Sequence, residues 1–234
     1  TETSFPTEFY KIGAIFPYLP SKDGTSVLII RARLYKKNPL AAGNAELEEH
    51  GKRFLLFFIE TMINASPNGK IGLLIDAQHA TMSNIDFPMI RFIMSTMMNY
   101  YYGMQRVLSK LCDAQIAQFK QKKHKFDFCP RIDNFSLICL YELPWILNKI
   151  YALINSWLPE EARRRVKVCT AANITEVVER EHLPDLMGGT ASKTYRDVPK
   201  GTKPIDKWIV EVGVVKNHAD GLKHKLFFES MYSI

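Results

Sequence analysis

The chain has 234 residues, a hydrophobic fraction of 47% and a formal net charge of +7, which allows one large domain or two small ones with a sizeable core. No charge-free apolar run approaches the roughly 20 residues that a membrane-spanning helix needs. The positive charge suits anionic partners such as phospholipid surfaces, nucleic acids or phosphorylated ligands. Four widely spaced cysteines, without a Cys-x-x-Cys pair, argue against a zinc site and favour a reducing, cytoplasmic compartment.

The first part of the chain predicts two strands separated by a helix. Residues Ser26 to Tyr35 follow a Lys-Asp-Gly turn and alternate between two faces, one of them apolar, as in a strand. Residues 44–65 (NAELEEHGKRFLLFFIETMINA) have an acidic first half and an apolar second half and predict a helix. Ile71 to Ile75 is almost wholly apolar, which is typical of a strand buried on both faces of a parallel sheet.

The middle of the chain continues this alternation. Asp86 and Pro88 predict the start of a second helix, because Asp caps helix N-termini and Pro is tolerated in the first turn. Leu137–Tyr141 predicts another doubly apolar strand. Pro144 then opens a helix that runs from Trp145 to Leu158.

The last third predicts a strand, a helix and another strand. The stretch RRRVKVCT, residues 163–170, reads as a short strand. Asn173 and Glu176 form a capping-box pattern that predicts a helix over residues 173–183. The segment KWIVEVGVV, residues 207–215, predicts a strand that adds to a sheet edge. The whole order predicts an α/β fold with a mostly parallel β-sheet floor and flanking helices.

Catalytic and nucleic-acid motifs are absent from the sequence. There is no Gly-x-Gly-x-x-Gly or Walker loop and no nucleophile elbow, so neither an enzyme nor a cofactor is predicted. Asp76 and His79 stand near a strand end, but without a nucleophile they favour an ordinary capping role. The basic runs 120–125 (KQKKHK) and 163–165 lack interleaved aromatic residues, so nucleic-acid binding is not predicted.

The helix predicted over Trp145–Leu158 has an unusually broad and bulky apolar face. The apolar residues on that face are Ile146, Leu147, Ile150, Tyr151, Leu153, Ile154, Trp157 and Leu158. Most such faces pack on a sheet. The alternative is that part of the face covers a cavity or meets a membrane, where Trp and Tyr are favoured.

Three stretches in order, LLIDAQHATMSNIDFPMIRFIMSTMMNYY, ICLYELPWILNKIYALINSWL and EHLPDLMGGT, resemble the CRAL-TRIO, or Sec14-like, lipid-binding family. The resemblance covers roughly residues 15–195. The residues that match the family pattern are Asp76, Tyr100, Tyr101, Pro144, Trp145, Leu183, Pro184, Gly188 and Gly189.

The resemblance implies a protein that holds one hydrophobic lipid in an internal pocket between the sheet and a mobile gate helix, Trp145–Leu158. It implies lipid exchange at anionic membrane surfaces, with a cytoplasmic, peripheral location that includes the endoplasmic reticulum. The alternative is a non-enzymatic protein-interaction scaffold with a degenerate pocket. The implied ligand-binding residues are Leu73, Ile75, Tyr100, Ile138, Leu140, Trp145, Ile150, Leu153, Ile154 and Trp157.

The predicted domain spans residues 15–198, and the tail 199–234 has no assigned role. A helical insert over residues 103–133 interrupts the family pattern and could pack on the domain, touch a membrane or bind a protein partner. The adjacent Gly188 and Gly189 are interpreted as one glycine for a positive φ angle and one for a close approach of two backbone segments. They are expected to close the fold beside the lipid pocket.

Overall fold

The computed structural model describes residues 1–35, 45–98 and 134–232. Its core is one five-stranded sheet in the order β1-β2-β3-β4-β5. The first pair is antiparallel and the other three pairs are parallel. The strands are β1 Ile15–Tyr18, β2 Val27–Arg31, β3 Ile71–Asp76, β4 Phe135–Tyr141 and β5 Val166–Cys169. This confirms the predicted α/β fold with a mostly parallel sheet.

Seven α-helices lie in the described ranges of the chain. They are α1 Thr7–Ile12, α2 Ala45–Ala65, α3 Phe87–Met98, α4 Asn148–Trp157, α5 Glu160–Arg165, α6 Ile205–Glu211 and α7 His218–Tyr232. Asp86 caps α3 as predicted, because its Oδ1 accepts the backbone N–H of Met89 at 3.2 Å.

The sheet separates two hydrophobic clusters of different composition. Because neighbouring parallel strands follow one another in sequence, right-handed crossovers place the connecting helices on one face of the sheet. Residues of α1, α2, α6 and α7 share a core cluster with Leu28, Leu73 and Ile138 on this helix-side face. The opposite, loop-side face carries Leu74 and Cys139 and is covered by residues from 174–187.

Several predicted elements have different boundaries or a different structure. The strand predicted over residues 163–170 begins only at Val166, because Glu160–Arg165 is helix α5. The strand predicted to Tyr35 ends at Arg31, where a 3-10 turn, Ala32–Leu34, begins. The helix predicted over 173–183 is wrong, because the segment forms only short 3-10 turns. The side chain of Asn173 accepts the backbone N–H of Thr170 at 2.7 Å. It therefore closes the preceding turn and does not cap a helix.

The strand predicted over residues 207–215 is also wrong, because Ile205–Glu211 is helix α6. Ile205, Trp208 and Ile209 have helical spacing and are almost completely buried. Together with Phe228 of α7 they belong to the helix-side cluster. The C-terminal segment therefore packs on the same core as the sheet, while the domain boundary at residue 198 stays a prediction.

A buried carboxylate joins α1 to α6. Glu8 in α1 is 4% exposed, and its Oε2 accepts the backbone N–H of Ile205 at 2.7 Å. This bond satisfies one of the free N–H groups at the start of α6, where Pro204 offers no side-chain cap. Burial raises the pKa of Glu8 above its ordinary value of 4.5.

Replacing Glu8 with Gln should make stability less dependent on pH. A carboxyl with a raised pKa binds more protons in the folded state than in the unfolded state. Its contribution to the unfolding free energy is therefore largest below pH 4.5 and is lost as pH rises through the folded pKa. The unfolding free energy of Glu8→Gln should therefore improve relative to wild type between about pH 4 and pH 7, measured by urea denaturation.

The matched variant Glu8→Ala should cost about 1–3 kcal/mol at every pH, because it leaves the buried N–H of Ile205 without an acceptor. If the difference in unfolding free energy between wild type and Glu8→Gln stayed constant with pH, the assignment of Glu8 as a buried, desolvated acid would be contradicted.

Candidate functional site

The helix-side face of the sheet carries two neighbouring rows of apolar side chains, of which only one is fully covered. Leu28, Leu73 and Ile138 lie side by side on β2, β3 and β4 and are at most 6% exposed. The next row, toward the carboxyl ends of the strands, is only partly covered. It consists of Ile30, Ile75, Leu140 and Val168, which are register partners across β2 to β5. We call these four residues the open row.

The predicted gate helix follows β4 at the same end of the sheet. It begins with a 3-10 turn, Trp145–Leu147, and continues as α4. None of the α4 residues is buried, although Leu147 just before it is 3% exposed. Trp145 exposes 82% of its surface and Leu153 exposes 46%. The large apolar face predicted for this helix is therefore incompletely covered.

The C-terminal half of α4 makes the contacts that attach it. Ile154 and Trp157 pack against the helix-side cluster. The Trp157 ring lies 6.5 Å from the Phe87 ring of α3, and the Arg91 guanidinium lies 5.9 Å from the Trp157 ring centroid. The C-terminal half of the helix is thus attached next to α3, and Leu147 is buried just before the helix, whereas Trp145 and Ile146 are exposed.

The predicted ligand-binding residues fall into three groups by burial. Leu73 and Ile138 are covered core residues, whereas Trp145 and Leu153 are exposed. The half-buried residues are Ile75, Leu140, Ile150, Ile154 and Trp157. Tyr100, Tyr101 and the predicted insert 103–133 lie outside the described residues.

Two apolar residues near this end of the sheet were missed by the sequence reasoning, Ile30 and Val168, which complete the open row. Ile146, predicted on the apolar face of the helix but not among the ligand-binding residues, exposes 47% of its surface beside Trp145. The alternating pattern in β2 assigns Ile30 to the face of Leu28, so it could have been found. Val168 could not, since its position depends on the register between β4 and β5.

A buried ion pair crosses the carboxyl ends of β2 and β3. Arg31 and Asp76 are 3% and 1% exposed, and Arg31 Nε lies 3.8 Å from Asp76 Oδ2. Asp76 Oδ1 also accepts the backbone N–H of Gln78 at 3.0 Å, which fits the capping role predicted for it. Burial raises the pKa of Asp76 and lowers that of Arg31. Nothing in the residue pattern indicates that Arg31 is its partner.

The double glycine lies against the loop-side face of the sheet. Gly188 has φ of +77° with open space around its Cα. Gly189 has no positive φ, but a Cβ there would overlap the backbone carbonyl of Leu183. The positive φ angle and the close backbone approach predicted for the pair are both confirmed, whereas its position beside a lipid pocket stays a prediction. Because Leu183 and Met187 belong to the loop-side cluster, the pair lies across the sheet from Ile154 and Trp157 of α4.

Comparison with known protein families accounts for this combination of sheet, exposed helix and glycine turn. The model of the CRAL/TRIO domain matches residues 13–108 and 134–189, well over half of the chain. The chain belongs to the CRAL/TRIO domain family. Members of this family bind hydrophobic lipid ligands and are lipid-transfer proteins rather than typical enzymes.

The chain is also similar to solved structures. Among 45 matching chains is the crystal structure of Sfh5, with 14% sequence identity and a TM-score of 0.49. The match covers 87% of this chain and 66% of that chain, slightly less than two thirds of its length.

The CRAL/TRIO match is interrupted between residues 108 and 134, within the insert predicted over 103–133. Across the described parts of this domain, no helix combines the length and the apolar character required to cross a membrane.

Proposed function

We propose that this CRAL/TRIO domain binds one hydrophobic lipid between the helix-side face of its sheet and α4, and exchanges it at membrane surfaces. The observation that carries the proposal is the open row, which leaves Ile30, Ile75, Leu140 and Val168 incompletely covered at the end of the sheet where α4 begins. A lipid chain placed there would cover apolar surface on both elements.

The energetics favour a ligand with a long hydrocarbon part. Each buried methylene contributes about 0.8 kcal/mol, so a chain in contact with the open row and α4 is held against release into water. A membrane removes that barrier, because its interior is as apolar as the pocket. Uptake and release at a bilayer, with α4 moving as the gate, follow from this difference.

The exposed first turn of the gate region supplies a membrane contact. Trp145 and Ile146 are exposed apolar side chains, and Lys149 is exposed on the next turn. Trp is favoured at the headgroup level of a bilayer. An exposed cation near the surface, here Lys149, adds about 1 kcal/mol on an anionic leaflet.

The proposed ligand-binding residues are those predicted from sequence, with Ile30, Ile146 and Val168 added. We also propose that, within the family, the chain is most similar to the lipid-binding half of motile sperm domain-containing protein 2. On the basis of that similarity, the proposed location is peripheral at membranes, including the endoplasmic reticulum. A protein partner at the insert 103–133 is a further part of the proposal.

Lipid transfer between vesicles tests the membrane step. We expect faster transfer of a fluorescent phospholipid when the vesicles contain phosphatidylserine, and a several-fold slower rate for Trp145→Ala, because the variant loses its interfacial side chain. Leu222→Ala on α7 is the matched control, since Leu222 is an equally apolar side chain with 49% exposure.

Two outcomes would contradict the membrane step. One is a rate that does not respond to phosphatidylserine, and the other is an equal loss of rate in Trp145→Ala and Leu222→Ala. If all proteins fail to transfer lipid although they are folded, the scaffold alternative is favoured.

A further inference from the structure

A cleft with a cavity volume of about 470 Å³ lies across the sheet from α4. It opens at the carboxyl ends of β3 and β4, where Gln78 and Tyr141 line it. In open α/β sheets, small ligands commonly bind in crevices outside the carboxyl ends of the strands. This cleft is separate from the proposed lipid site, which lies on the other face of the sheet.

The floor of the cleft is apolar and fixed by the core. Tyr141, Ile174, Leu183 and Met187 line it, and each is at most 3% exposed. All four belong to the loop-side cluster. The floor is therefore a pre-formed surface, as in most small-molecule sites.

The rim of the cleft carries three polar side chains that the protein itself leaves unused. They are the amide of Gln78, the hydroxyl of Thr175 and the guanidinium of Arg180. Within the described part of the chain, none of these three side chains makes a hydrogen bond or an ion pair. A few polar groups that converge on an apolar floor are typical of a ligand site.

No acidic side chain in the described part of the chain forms an ion pair with Arg180, and the preceding acidic residue is engaged elsewhere. Glu179 lies 3.5 Å from Lys22. The guanidinium of Arg180 is thus available for an external anion.

The backbone at the two strand ends is strained next to the cleft. His79 follows β3 with φ of +59°, and Glu142 follows β4 with φ of +50°. Positive φ is uncommon for residues other than glycine and concentrates at functional sites. Here the two residues flank the point where Gln78 and Tyr141 enter the cleft.

We propose that the cleft binds a small amphipathic anion, a carboxylate or a phosphate ester on a short apolar body. The apolar body contacts Ile174 and Met187, and the anion pairs with Arg180, whose planar guanidinium matches both oxyanions. Gln78 and Thr175 supply the remaining hydrogen bonds at the rim. This site would act independently of lipid exchange.

Methyl NMR titrations with octanoate and with phenyl phosphate test the proposal. We expect the methyl signals of Ile174 and Met187 to shift with at least one of the two probes, and the tighter probe identifies the preferred anion. Arg180→Met should weaken that binding by about tenfold or more, because it removes a charge-assisted bidentate pair. Arg163→Met is the control, with the same change of charge at another exposed arginine.

Two further variants separate this site from the lipid site. Ala171→Phe should block the cleft sterically, since Ala171 lines it and is exposed. Aspartates at Ile150 and Ile154 should leave the octanoate and phenyl phosphate shifts unchanged. The proposal is overturned if neither probe shifts Ile174 and Met187, or if Arg180→Met binds as tightly as Arg163→Met.

Discussion

Alanine at Gly189 is expected to destabilise the domain by about 3 kcal/mol or more, whereas alanine at Gly188 should cost only about 1 kcal/mol. The neighbouring glycines differ in what surrounds them. A Cβ at Gly189 would overlap the Leu183 carbonyl, and that carbonyl accepts the backbone N–H of Ala191 at 3.2 Å. Because the added Cβ would clash with backbone atoms, no rotation of a flexible side chain can relieve the overlap.

The clash at Gly189 would reach the core of the loop-side face. Leu183 is 2% exposed and packs in the loop-side cluster, so displacing its backbone disturbs packing against the sheet. At Gly188 nothing lies within 4 Å of an added Cβ. The cost there is only that of the left-handed conformation.

Urea denaturation of the two alanine variants measures the difference. We expect a much lower midpoint for Gly189→Ala than for Gly188→Ala. If Gly189→Ala were as stable as wild type, or if Gly188→Ala were the worse of the two, the close approach of residues 183 and 189 would be wrong.

The double variant with aspartate at Ile150 and Ile154 is expected to abolish lipid uptake while the sheet stays folded. Both side chains are half-buried on α4, and Ile154 packs against the helix-side cluster. An ionised carboxylate in contact with a lipid chain loses hydration, at an effective penalty of several kcal/mol per ion. Two such groups should bring binding below detection.

Aspartates at Ala152 and Ser156 form the matched control, because both positions are exposed on the other side of the same helix. The control carries the same added charge and should take up lipid from liposomes like wild type. Circular dichroism establishes that each variant is folded. Lipid uptake by the folded Ile150 and Ile154 variant would show that α4 is not the gate.

The sheet was predictable because the sequences of its central strands are themselves typical of buried strands. Ile71–Ile75 and Leu137–Tyr141 are almost wholly apolar runs, which only a strand covered on both faces explains well. Helix α2 was predictable from its length and its apolar second half. The alternating order of strands and helices then predicts a mostly parallel sheet.

The failures have local physical causes. Residues 173–183 contain a capping pattern, but the Asn173 side chain bonds to Thr170 and the buried residues Ile174 and Val178 cover the sheet. Residues 205–211 have enough β-branched residues for a strand. A buried acceptor 197 positions away, Glu8, and the helical spacing of Ile205, Trp208 and Ile209 make them a helix.

The candidate site was predictable only in part. The breadth of the apolar face of residues 145–158, with the family resemblance, indicates a helix that is only partly covered. The open row depends on register, because a shift of one residue would turn Val168 to the other face. The pairing of Arg31 with Asp76 depends on the tertiary arrangement of β2 and β3 and has no sequence signature.

Native mass spectrometry of the protein purified from cells tests the central claim most directly. Lipid binding predicts a mass that exceeds the sequence mass by that of one lipid molecule, which is released on denaturation and replaced after incubation with liposomes. Repeated recovery of folded protein at the sequence mass, with no gain after incubation with liposomes, would contradict lipid binding.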